Sequence, residues 1–128
     1  MEEIKYKTGE LVVAHKKTGK YIGEVIEVKP TQAVVKVLAV LKHPAQGDLH
    51  NPRKVDVPMF HQRKALACYE KTLVPFSALK PYDGNVPDYN ESLRDALGKQ
   101  ISKLEADSSD WSKRSLQELN VLKQDYFK

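Results

Sequence analysis

The sequence predicts an α+β fold: a small antiparallel β-barrel followed by a C-terminal antiparallel helical hairpin. Three observations carry that expectation. Apolar runs rich in β-branched residues, separated by short turns, fill the chain up to Tyr82. The apolar period changes past Pro87, where Leu93, Leu97, Ile101 and Leu104 recur every three or four residues. Charge changes at the same place: residues 1–80 carry +6 and residues 81–128 carry −2, within a net +4. The expected division is therefore 1–82 as barrel and 83–128 as hairpin.

The first strand is read in Gly9–Lys17 around Leu11, Val12 and Val13, and Lys17-Thr18-Gly19-Lys20 turns the chain. The second, Tyr21–Val28, should place Ile22, Ile26 and Val28 on one face and Tyr21 and Val25 on the other. Gly23 inside it marks a bulge or tight bend. After Lys29-Pro30-Thr31-Gln32, the run Ala33–Leu41 is the strongest strand, and the three should form a meander. A fourth strand is expected over Lys64–Lys71, with Cys68 buried in it. Val74-Pro75, one tight turn over Phe76-Ser77-Ala78 and a short last strand complete the set. The Gly9-Glu10-Leu11-Val12 start, the Gly19-Lys20-Tyr21-Ile22-Gly23 second strand and this ending resemble an SH3-like barrel over residues 5–82.

Past Asp83-Gly84-Asn85, Asp88 and Glu91 stand at capping-box spacing for a first helix. Asp107-Ser108-Ser109-Asp110 ends it and caps a second, whose stripe is Trp111, Ser115, Leu116, Leu119, Leu122 and Tyr126.

Between the third and fourth strands lies a long loop, about 42–63, with three histidines (His43, His50, His61) and three prolines (Pro44, Pro52, Pro58). Prolines withhold donors, so its middle is neither regular helix nor central strand. Leu49, Val55, Val57, Met59 and Phe60 are apolar enough to hold it against the barrel as an ordered flap. The histidines are expected to hydrogen-bond loop carbonyls. Gln46, Asp48, Asn51, Arg53 and Arg63 are then the candidate partner contacts, joined by Tyr126 and Phe127 at the C-terminus.

No catalytic residue is assigned. Cys68 has no motif around it, Ser77 and Ser92 stand at turn and helix-start positions, and the six glycines form no phosphate loop. No metal is assigned either: His43, Asp48, His50, Asp56 and His61 match no standard zinc spacing. No cofactor or small-molecule substrate is expected. The chain starts without an apolar leader and has one cysteine, so the expected compartment is the cytoplasm. Lys16, Lys17, Lys20, Arg53, Lys54, Arg63 and Lys64, interleaved with Tyr21 and Phe60, make a nucleic-acid-binding barrel the alternative. Against it, no RNA-module signature is present and the helical half is acidic.

Three segments carry a closer resemblance. They are Thr18-Gly19-Lys20-Tyr21-Ile22-Gly23-Glu24-Val25, the loop Lys42-His43-Pro44-Ala45-Gln46-Gly47-Asp48-Leu49-His50-Asn51-Pro52, and Phe60-His61-Gln62-Arg63-Lys64-Ala65-Leu66-Ala67. With Val86-Pro87-Asp88-Tyr89 and Asp125-Tyr126-Phe127, they make the chain resemble the kinase-associated protein B family of spore-forming bacteria. The resemblance implies an accessory protein needed by a sporulation sensor histidine kinase that feeds a phosphorelay, without catalytic activity or cofactor. Members are described as lipoproteins, whereas the only cysteine here is Cys68. Any membrane association is therefore expected to come through the kinase. Self-association as a homodimer stays open.

Overall fold

The computed structural model describes residues 6–46, 62–107 and 109–127. Five antiparallel strands form one curled sheet in the order β4-β3-β2-β1-β5. They are β1 (Leu11–Lys16), β2 (Gly19–Val28), β3 (Gln32–Lys42), β4 (Lys71–Pro75) and β5 (Leu79–Pro81). Two helices follow, α1 (Tyr89–Glu105) and α2 (Asp110–Tyr126). This is the expected small SH3-like barrel with a helical hairpin. The barrel is not hydrogen-bonded all the way round. Its outer strands β4 and β5 are joined instead by a single 3-10 turn over Phe76–Ala78.

Curling comes from bulges. The β2–β3 register slips between Lys20 and Tyr21, between Ile22 and Gly23, and between Val25 and Glu27. Each slip bends a strand and increases its twist. Gly23 is required at the second: a Cβ there would overlap Val35 Cγ1 and stand 2.8 Å from the Lys36 carbonyl oxygen. The slips also undo the simple alternation expected of β2. Tyr21, Ile22 and Val25 are all buried, whereas Val28 is exposed. Val12, Ala14, Val25, Val35, Val74 and Leu79 fill the barrel interior, with Tyr6 donating its hydroxyl proton to the Leu79 carbonyl at 3.0 Å. Tyr21, Val37, Val40 and Ala65 pack on Leu93 and Ala96 of α1. Burying such apolar side chains is the main force holding helix to sheet.

The helices start where the sequence places them. Asp88 accepts from the Glu91 amide at 3.1 Å, and Ser109 accepts from the Ser112 amide at 3.2 Å. Such caps satisfy donors that the first turn leaves unpaired. Leu97, Leu104, Leu119 and Leu122 form the seam between the two helices.

The expected fourth strand over Lys64–Lys71 is not there. Residues 62–67 form neither strand nor helix and lie outside the sheet, and β4 begins only at Lys71. The edge that such a strand would need is partly taken: the Val40 amide donates to Ser92 Oγ of α1 at 3.0 Å. Cys68 is correspondingly exposed, on the turn that returns the chain to β3, rather than buried in a strand.

Candidate functional site

Where residues 62–67 run outside the sheet, their backbone polar groups must find other partners. Side chains supply them. Gln46 accepts from the Arg63 amide at 2.8 Å and donates to the Arg63 carbonyl at 3.0 Å. The Tyr126 hydroxyl accepts from the Ala65 amide at 2.9 Å, and the Tyr21 hydroxyl accepts from the Leu66 amide at 3.3 Å. Tyr89 donates to the Leu66 carbonyl at 2.6 Å, and Glu70 Oε1 accepts from the Ala67 amide at 2.9 Å. One short strap is thus held by groups from β2, α1, α2 and both chain segments flanking the loop.

Behind the strap lies His43, fully buried. Its Nδ1 is 2.9 Å from the Pro44 carbonyl oxygen, which can only accept, so Nδ1 carries the proton. Nε2 then accepts from the Tyr126 hydroxyl at 3.0 Å. Burial lowers the His43 pKa from its usual 6.5 and keeps the ring neutral. Burial likewise raises the pKa of Tyr21, Tyr89 and Tyr126, so all three hydroxyls keep their protons. The Pro44 carbonyl also accepts from Gln46 Nε2 at 3.1 Å and from Gln100 Nε2 at 3.4 Å. These groups hold a segment in place.

Outside the strap is a basic pocket of about 370 Å³ whose lining includes Lys16, Lys17, Arg63 and Lys64. Lys64 pairs with Asp125 at 3.0 Å. Arg63 is half-buried with its backbone held by Gln46. Gln46 itself faces inward, with both ends of its amide committed, instead of presenting them at the surface. Tyr126 and Phe127 are half-buried, ring edge to ring face with centroids 6.1 Å apart, and the Arg94 guanidinium sits 4.4 Å over Phe127. Asp48, Asn51 and Arg53 lie outside the described residues, as do His50 and His61. Among the described residues no group of His, Cys, Asp and Glu is placed to hold a metal ion. No helix there is long and apolar enough to cross a membrane.

Sequence reasoning missed Tyr21, Tyr89, Ser92 and Gln100 as holders of the strap and of β3. A signal was present for two of them: Tyr21 shares a strand face with Val25, and Tyr89 stands one turn before Leu93 on the apolar stripe.

The class this fold defines is a small SH3-like barrel with a docked C-terminal helical hairpin, its strap clamped by side-chain hydrogen bonds. Comparisons narrow that class. The family model described as kinase associated protein B matches residues 16–127. Kinase-associated lipoprotein B of Bacillus subtilis (strain 168) is 54% identical over 122 residues, 95% of each chain. The crystal structure of kinase-associated protein B from Bacillus cereus is 43% identical, with a TM-score of 0.82 over 95% of this chain and 98% of that one. The chain belongs to the kinase-associated protein B family.

Proposed function

We propose that this chain is a non-enzymatic accessory protein that binds a sensor histidine kinase and supports its output into a sporulation phosphorelay. The observation that carries the reading is the 54% identity, over nearly the whole length, to a protein named for its association with a kinase. The site chemistry agrees with it: the buried hydroxyls and imidazole are spent on holding one strap in place. In this reading the chain works on the cytoplasmic side and meets the membrane through the kinase. The candidate partner contacts are Arg63, Tyr126 and Phe127, together with Asp48, Asn51 and Arg53, which lie outside the described residues.

The test is direct capture. The immobilised full chain should retain the cytoplasmic part of a sporulation sensor histidine kinase from the same organism, and Arg53→Ala should weaken retention without changing stability. Failure of the wild-type chain to retain any such kinase would overturn the reading.

A further inference from the structure

The end of β3 and the two helices leave a groove of about 650 Å³. Its apolar lining comes from Leu41, Leu104 and Trp111. Leu41 is 38% exposed because the register slip beside it, where Lys20 pairs with Lys42 and Tyr21 with Val40, turns it out of the sheet. The rim is basic, with Lys20 and Lys42 on one side and Lys99 and Lys103 on the other.

This positive charge is only partly balanced from within. Lys20 and Lys42 stand directly opposite each other on antiparallel strands, a like-charge placement that opposes folding. No carboxylate among the described residues pairs with Lys20, Lys42 or Lys103; Lys99 meets Asp95 at 3.2 Å. Among the described residues the lining holds one acid, Asp107, against four lysines; its carboxylate accepts from the Ser109 amide at 3.0 Å and the Ser112 hydroxyl at 2.7 Å.

We infer that this groove is a docking site for an acidic segment of a partner protein, one apolar side chain seated on Leu41, Leu104 and Trp111 and flanking carboxylates meeting the lysines. The inference deepens the accessory-protein reading and rests on it. Charge complementarity selects the occupant's sign, and the apolar lining selects a side chain over a phosphate strand. Among the described residues the groove is lined by lysines and holds no arginine, so it offers spread charge in place of the planar forks that grip a single phosphate or carboxylate. A length of chain with several carboxylates matches that spread better than a compact anion.

Trp111 is the only tryptophan, so its emission reports occupancy. Peptides selected from a random display library against the wild-type chain serve as probes. The expected result is a consensus of Asp or Glu on both sides of Leu, Ile or Phe, binding that alters Trp111 emission, and weakening with added salt. Lys42→Glu should cut the affinity about tenfold or more, while Lys80→Glu on β5 leaves it unchanged. Lys42→Glu turns the like-charge cross-strand pair into an opposite-charge one, so the variant keeps its fold. A selection without an acidic consensus, an unchanged emission, or equal binding by Lys42→Glu overturns the inference. So does an oligothymidylate that binds the groove more tightly than the peptides. Kinase capture distinguishes the two readings. Wild-type loss of capture defeats the accessory role, whereas full capture by Lys42→Glu defeats the groove alone.

Discussion

The Tyr126 hydroxyl joins two parts of the chain far apart in sequence: it donates to His43 Nε2 at 3.0 Å and accepts from the Ala65 amide at 2.9 Å. Removing it leaves a buried acceptor and a buried donor without partners. Tyr126→Phe should therefore lose about 1–3 kcal/mol of stability. Urea unfolding of the two proteins checks this, and an unchanged midpoint would mean that the strap is held by other contacts.

His43 makes stability depend on pH. Its folded pKa is lowered below the 6.5 of the unfolded chain by burial, so the unfolded state binds more protons on the acid side. The stabilisation is complete above the unfolded pKa and is lost as pH falls below it toward the folded value. The urea midpoint of the wild type should fall between about pH 7.5 and about pH 5.5, and His43→Gln should fall less over the same range. Parallel pH profiles would assign the titration to another group.

The β1–β2 turn carries strain. Lys17 and Thr18 have φ values of 46° and 68°, in the left-handed region. Thr18 has a reason to stay, because its hydroxyl accepts from the Ala45 amide at 2.9 Å and so anchors the segment leaving β3. Lys17 is exposed, and asparagine tolerates its conformation better. Lys17→Asn should stabilise the protein by about 1 kcal/mol, and Thr18→Gly should gain less because it forfeits the bond to Ala45. Thermal melts of both variants give the comparison.

Gly23→Ala tests the bulge. The added methyl meets the Lys36 carbonyl and the Val35 side chain at distances no side-chain adjustment alone relieves. A loss of about 1–3 kcal/mol or more is expected. A neutral substitution would show that the two strands are farther apart at this point.

Cys68 is exposed on its turn. A thiol reagent should therefore modify it in the native protein at the rate seen after unfolding, within a fewfold. Protection until denaturant is added would restore the buried strand that the sequence suggests.

Much of the fold was legible because local signals agreed with the global answer. The Asp88 cap, the Leu93–Leu97–Leu104 stripe, the Gly23 bulge and the Val74-Pro75 turn each follow from residue chemistry within a few positions. Residues 64–67 misled because Ala65, Leu66 and Ala67 look like a strand when only local pattern is weighed. What keeps them out of the sheet is distant: Tyr21, Tyr89 and Tyr126 take up their backbone groups. Such pairings between residues 23 to 61 positions apart leave no period in the sequence. The same holds for the lysine groove, whose walls come from β2, β3 and both helices.

Binding to a sensor histidine kinase is the activity proposed for this chain. Titration calorimetry between the full-length chain and the purified cytoplasmic part of such a kinase, from the same organism, measures that most directly. A saturable heat with a defined stoichiometry, weakened by Arg53→Ala or Lys42→Glu, is the predicted result. No heat at concentrations where the kinase autophosphorylates normally, together with no effect of the chain on that autophosphorylation, would contradict it.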